Sequence, residues 1–303
     1  MKNFFYQEAE CTRLYNSLGE CWHLWTPENF PIIITEDQEF KDIMSIFGHS
    51  ASCFNNLHIY TFELMNNHLH VCLSGHKDTV DQWFHYFKRL LTRYLKKKKR
   101  ELDSIAFRHQ TRLIKSLGEM RNIIIYNNRN GFVVSPQETP YSYPWGANSY
   151  FYNTQAKKRY YESAQKYTTR DATLIIHSRQ GYYKSELMKV DGYVSPMSFC
   201  HIETAEKLFR DASQYFYLLT KKLELQKEIA EQIGESIYYN DNELYQIANT
   251  LTNNLYKIAL QELNGQQKIE IAKKLRFEYN ANGKQIQRIL KLDRSIITSL
   301  GLN

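Results

Sequence analysis

Paired cysteine chemistry is missing from this chain. Its five cysteines, Cys11, Cys21, Cys53, Cys72 and Cys200, are odd in number, and no two have C-x-x-C spacing. A disulfide framework and a zinc ribbon are therefore not expected, and a reducing, cytoplasmic compartment is. Long apolar runs are also missing. Residues 1–16 are polar and aromatic, so neither a signal peptide nor a membrane span is expected. There is no internal repeat, and the one low-complexity segment is the basic run Lys96, Lys97, Lys98, Lys99, Arg100. These absences exclude secreted mini-protein, membrane and solenoid classes.

What is present is enough to fold. The chain has 303 residues, 43% of them hydrophobic, which suggests two domains and a small third. Net charge is +7, from 39 Lys and Arg against 32 Asp and Glu, an excess that fits a polyanionic partner but is mild. The 23 tyrosines offer rigid faces that can stack on bases, although most are expected to serve in packing.

Hydrophobic periodicity places the elements. Cys21 to Trp25 reads as a short strand ended by Thr26 and Pro27. Phe40, Ile43, Met44 and Phe47 follow the i, i+3, i+4, i+7 spacing of a helix that opens on acidic residues. Residues 57–65 form the clearest strand, Asn66 and Asn67 a turn, and 68–73 a second strand, so an antiparallel hairpin is expected. Residues 80–94 read as an amphipathic helix running into the basic run, and 110–128 as another helix that breaks at Asn130 and Gly131. Residues 134–146, with three prolines, read as an irregular loop, and 173–177 as a strand. Residues 201–265 read as helices. After them come helices at 266–277, 284–290 and 294–300, with Asp293 as an N-cap. The last two, around a short turn, read as a helix-turn-helix for duplex DNA, with Arg294, Ser295 and Thr298 available to it; a docking or self-association bundle is the competing reading.

Two constellations carry chemistry. In a strand, alternate side chains share a face, so His68 and His70 present two imidazoles together, a geometry that can hold one divalent metal. In a helix, Tyr126 and Asn130 share a face. The run Phe62-Glu63-Leu64-Met65-Asn66-Asn67-His68-Leu69-His70 resembles the signature of the REP-associated tyrosine transposases, in the single-tyrosine HUH transposase superfamily. The segments Tyr126 to Gly131 and Tyr143-Pro144-Trp145-Gly146 resemble the family's later signatures. Asn66 and Gly131 stand where the family has proline. The resemblance spans about residues 20–150.

The resemblance implies an α+β fold, a ferredoxin-like antiparallel sheet with helices on one face, the HUH nuclease fold; the helical pattern after it adds an α-helical C-terminal part with a helix-turn-helix. It implies an HUH domain over 1–155. A connecting region over 156–260 and a DNA-binding module over 261–303 complete the expected organisation. The implied activity is that of a transposase-like single-stranded DNA endonuclease and strand transferase acting on hairpin-bearing DNA, with Tyr126 as nucleophile and a 5′-phosphotyrosine intermediate. Mg²⁺ or Mn²⁺ would be held by His68, His70 and Asn130, with Asn127 or Asn128 substituting if the helix ends early. Glu63, His58 and His109 are candidate general bases. Lys96 to Arg100, with Arg108, Arg112, Lys115 and Arg121, would line a DNA track. Trp22, Trp25 and Trp145 are stacking candidates or core. The compartment implied is the cytoplasm, at the nucleoid; no membrane partner is expected and a homodimer is left open. Two other functions stay in play: a domesticated sequence-specific DNA-binding protein with little catalysis, and a metal-dependent phosphoesterase.

Overall fold

The computed structural model describes residues 2–28, 30–134, 143–176, 186–221, 239 and 241–299. The chain forms two compact units. The first comprises residues 1–131 and 140–222, the second 132–139 and 223–303. The connecting region expected over 156–260 is thus divided between them.

The first unit is built on a four-stranded antiparallel sheet in the order β2-β3-β1-β4, formed by β1 (Cys21–Trp25), β2 (His58–Leu64), β3 (Leu69–Ser74) and β4 (Gln110–Ile114). Helices α1 (Lys2–Ser17), α2 (Asp37–Ser52), α3 (Lys77–Lys97) and α4 (Leu117–Val134) complete its frame. The succession from β1 to β4 is βαββαβ, with α2 and α3 as the two crossovers. Alternation along the strands explains why these sequences pair. Leu24, Phe62 and Val71 are fully buried and point to one face. There the Phe47 ring of α2 meets Phe62 at 4.6 Å and Trp83 of α3 at 5.5 Å. The Trp83 indole N–H donates to Ser50 Oγ at 3.1 Å, so its burial leaves no orphaned donor.

The other face is covered as well. Met120 Sδ of α4 lies 3.5 Å from Cys72 Sγ of β3, and the Tyr126 ring rests on His70. Helices therefore lie on both faces, not one as expected. An irregularity between Ile59 and Thr61 decides what β2 shows to each side. Ile59 opposes Leu73 and Thr61 opposes Cys72, so Tyr60 is the extra residue and alternation restarts after it. Thr61 and Glu63 consequently share the α4 face with His70.

Three local expectations change. The stretch read as one helix over 110–128 is β4 followed by α4, which continues past Gly131 to Val134. Residues 110–114 pair in register with β1, Cys21 opposite Ile114 and Trp25 opposite Gln110. Leu113 is 37% exposed while Ile114 is buried, an alternation of period two that a short edge strand carries weakly. Residues 173–177 are not a strand: α6 runs Thr169–Ile176, and residue 177 lies outside the described residues. Its start is capped reciprocally, Thr168 N donating to Asp171 Oδ2 at 2.8 Å and Asp171 N to Thr168 Oγ1 at 3.2 Å. His68 stands one residue before β3, not inside it. Of the loop expected at 134–146, residues 135–142 lie outside the described residues. Residues 145–147 line the outer edge of β2, with Leu64 N donating to Trp145 O at 2.8 Å and Ala147 N to Phe62 O at 3.2 Å.

Further along come α5 (Thr154–Ser163), α7 (Ile202–Glu206), α8 (Ala212–Lys221) and a small sheet of β5 (Gln165–Lys166), β6 (Met188–Val190) and β7 (Tyr193–Val194). The second unit holds α9 (Asp241–Tyr256), α10 (Gly265–Tyr279), α11 (Gly283–Leu290) and α12 (Arg294–Ser299) around Leu244, Ile271, Leu275, Ile286 and Ile297. Its helix boundaries follow from caps. Asn264 and Asn282 form capping boxes with Gln267 and Gln285, and Asn280 ends α10 in the left-handed region at φ 51°. Among the described residues no helix is long and apolar enough to cross a membrane.

Candidate functional site

The two sequence signatures converge on the α4 face of the sheet. β3 carries His70 near its start, α4 carries Tyr126 above it, and their rings meet edge to face at 5.5 Å. The His68 ring lies 5.2 Å from His70, nearly perpendicular to it. A third imidazole, His23 of β1, stacks on His70 at 5.6 Å and meets the Tyr126 ring at 6.0 Å. His70 Nδ1 and His23 Nε2 are 3.4 Å apart.

The turn before β3 sets the first imidazole. Met65 N donates to His68 O at 2.9 Å, closing it, and the Asn66 carbonyl accepts from Ile33 N and Ile34 N, each at 2.8 Å. Asn67 Nδ2 donates to Phe30 O at 2.9 Å, which fixes its amide, and Asn67 Oδ1 lies 2.7 Å from His68 Nδ1. An oxygen there requires the proton on Nδ1, so Nε2 keeps its lone pair. Burial holds the rings neutral. Desolvation pushes His68 down to about 4 and His23 to about 3, and pushes His70 well below its ordinary value, with His68 and His23 adding to the effect.

Further polar groups fill the same layer. Thr61 Oγ1 donates to Asn128 Oδ1, and Asn128 Nδ2 donates to Tyr215 OH at 2.8 Å. With its amide turned to satisfy every neighbour, Asn127 donates to His23 Nε2 at 3.3 Å and accepts from Cys72 N at 3.2 Å. Glu63 opposes His70 in the β2–β3 register and is buried. Gly146 runs so close that a Cβ there would sit 2.9 Å from Phe62 O and 3.2 Å from the Glu63 carboxylate.

Among the expected site residues, His68, His70 and Tyr126 are brought together. Asn130 lies one turn beyond Tyr126 in α4 and is half-buried. Asn127 and Asn128 are occupied by the contacts above. Among the described residues no group of three or more His, Cys, Asp or Glu side chains is arranged to hold a metal ion. The donor set that fits one is His68 Nε2 with the neutral His70 imidazole beside it, and imidazole nitrogens suit Mn²⁺ better than Mg²⁺. His23 and Thr61 escaped the sequence reading, because which side chains share this face depends on the strand pairing and on the Tyr60 irregularity; Glu63, named there as a candidate general base, joins them.

The basic run separates into two parts. Lys96 and Lys97 end α3, and Lys98 and Lys99 follow, all exposed. Lys99 turns left-handed at φ 57°, Arg100 N donates to Leu95 O at 2.9 Å, and the chain reverses. Arg100 then points inward, its Nη1 donating to Glu39 Oε1 at 2.8 Å and its Nη2 to Ile33 O. Arg112 and Arg121 are likewise taken up, by Glu119 at 2.6 Å and Glu8 at 2.7 Å. The cations the reading missed stand earlier on α3. His85, Lys88, Arg89 and Arg93, joined by Lys96 of the basic run and by Thr92 and Ser104, line an open groove of about 420 Å³, and no carboxylate lines it. Trp25 and Trp145 are buried, Trp145 stacked on Phe40 at 4.8 Å, so they belong to the core. His109 pairs with Asp81 at 2.7 Å. In α12, Ser295 and Thr298 are exposed, and the Ser295 hydroxyl donates to Asp293 Oδ1 at 2.9 Å; the Arg294 side chain lies outside the described residues.

No protein-family model, no curated protein and no solved structure matches this chain.

Proposed function

We propose that this chain is a single-strand DNA endonuclease and strand transferase that uses Tyr126 as its nucleophile. The observation that carries the reading is the packing of Tyr126 on His70, with His68 beside it, at 5.5 and 5.2 Å. Residues from separate segments, chosen for one reaction, lie in one cluster. The βαββαβ succession and the order β2-β3-β1-β4 support the ferredoxin-like, HUH-type reading of the sheet.

In this mechanism the Tyr126 phenol oxygen forms a bond to phosphorus and the bond from phosphorus to the 3′ oxygen breaks. The phenol gives up its proton as it attacks, the 3′ oxygen takes up one proton as it leaves as a hydroxyl, and the 5′ side stays on Tyr126 as a phosphotyrosine. A later 3′-hydroxyl reverses the step, so strands are rejoined without ATP. His68 and His70, with Asn130 as the amide ligand, would hold a divalent ion, Mg²⁺ or Mn²⁺, which when bound supplies Lewis-acid polarisation of the phosphate. Asn67 orients His68 for that role, and the His23 imidazole backs His70. The α3 groove and Lys96 to Lys99 supply a cationic track for single-stranded DNA. We assign α11 and α12 to duplex contact as a helix-turn-helix and place the protein at the nucleoid. The test is cleavage of labelled single-stranded hairpin oligonucleotides with Mn²⁺. Wild type should cut, while His68→Ala and Tyr126→Phe should fall by at least about 10³-fold. Equal cutting by all three would refute the assignment.

One observation favours a second reading. Tyr126 is 4% exposed and His70 is fully buried, which suits a structural cluster in a DNA-binding protein without catalysis. That reading expects tight oligonucleotide binding, no cutting with any divalent metal, and loss of stability in Tyr126→Phe.

A further inference from the structure

A second pair of histidines lies outside this cluster, on the surface of the first unit. His58 opens β2 and His201 immediately precedes α7. They are 143 residues apart in sequence, yet His58 Nδ1 lies 3.1 Å from His201 Nε2 and the ring centroids are 4.8 Å apart. Both residues are exposed.

The backbone, not the imidazole contact, holds them together. His201 N donates to Ile59 O at 2.7 Å, and Ile59 and Cys200 form a parallel bridge. Ala205 N donates to His201 O at 3.0 Å, which fixes His201 to the first turn of α7. The side chains therefore meet because their Cα positions are already set. Two neutral imidazoles in contact satisfy only one N–H···N bond, a weak reward for an exposed pair. Two imidazole nitrogens bound to one tetrahedral ion, each at about 2.0–2.1 Å, stand about 3.3–3.4 Å apart. The observed separation is within a few tenths of an ångström of that bite, and exposed rings can turn to close it.

We propose that His58 and His201 form a metal site of their own, which takes a borderline divalent transition ion such as Zn²⁺, Ni²⁺ or Cu²⁺ and clips β2 to α7. Water completes the coordination, so the site is open and exchangeable. Imidazole donors without a carboxylate discriminate against Mg²⁺ and Ca²⁺. Burial, and then the neighbouring His58, hold His201 below its ordinary value, which favours the neutral, metal-binding form at pH 7. The proposal does not depend on Tyr126 chemistry. Its exposure makes this pair the first to load, ahead of the buried His68 and His70.

The test is isothermal titration of the full chain with ZnCl₂, paired with thermal unfolding with and without the ion. Wild type, His58→Ala, His201→Ala and a His68→Ala/His70→Ala double variant are compared. Wild type and the double variant should bind the exposed-site equivalent and melt higher with Zn²⁺. His58→Ala and His201→Ala should each lose that equivalent and the metal-dependent rise in Tm, while their metal-free Tm stays within a few degrees of wild type. Excess Mg²⁺ should not compete. The same Zn²⁺ stoichiometry and Tm rise in the two single variants, or no binding by wild type, would overturn the proposal. Loss confined to the His68→Ala/His70→Ala protein would assign the equivalent to the buried pair and overturn it too.

Discussion

Glu39 and Arg100 show how a residue's surroundings can override its sequence context. Arg100 closes a run of five cations, yet its guanidinium forks onto a buried carboxylate. Burial alone would raise Glu39, but bonds from Thr35 N, Arg100 and Thr35 Oγ1 outweigh it and hold the carboxyl below its ordinary 4.5. The folded carboxyl is thus the stronger acid, and as pH falls the unfolded chain takes up the proton first. Its contribution to stability is present above about pH 4.5 and is lost as pH falls through the folded value. Arg100→Ala should destabilise by roughly 3 kcal/mol, the low end for breaking a buried pair, because Arg100 keeps some solvent contact. Urea midpoints at neutral pH and at pH 3 check both points: the gap between wild type and Arg100→Ala should narrow in acid. At this scale His68 and His70 were legible from their strand spacing, whereas Tyr126 was singled out among 23 tyrosines only by the family resemblance. The sequence hid His23 and Thr61, whose membership depends on which strands pair and on the extra residue at Tyr60.

Among the elements, α2 and α3 were legible because each carries a wide apolar stripe that buries against the sheet. Trp83 lies at the centre of the α3 stripe, with Phe47 and Phe87 around it. Trp83→Ala should cost about 3–5 kcal/mol in denaturant unfolding. β4 was misread because a five-residue edge strand followed by a helix leaves apolar residues at spacings that also fit one long helix. α6 was misread because its β-branched residues outvoted a capping signal. Thr168→Ala should remove that cap at a cost of about 1 kcal/mol, measurable in the same unfolding assay. The polar side of α3 makes a prediction of its own. If its groove carries a nucleic-acid backbone, Arg89→Ala/Arg93→Ala should lower the slope of log K against log salt by about 0.7 per lost phosphate contact on single-stranded DNA. A slope equal to wild type would return those arginines to the role of a solvated helix face.

Across the whole molecule the α+β class was legible, and the division was not. The boundary expected at 155 falls within the first unit, because α5, α7 and α8 belong to the same compact unit as the sheet. Tyr152 N and Lys157 Nζ both donate to Glu206, and Tyr215 OH donates to Asn148 at 2.5 Å. These partners lie about 50 to 70 residues apart, too far for any periodic pattern to register. The helices of 265–299 were legible because the turn at Asn280 to Gly283 and the cap at Asp293 mark their ends by chemistry that acts locally. The central claim is covalent catalysis by Tyr126 beside the His68 and His70 imidazoles. Its most direct test is mass spectrometry of the peptide carrying Tyr126 after incubation with single-stranded hairpin DNA and Mn²⁺. The account predicts a nucleotide adduct on Tyr126 that is absent in His68→Ala. Efficient cleavage with Tyr126 unmodified and replaceable by phenylalanine would contradict it.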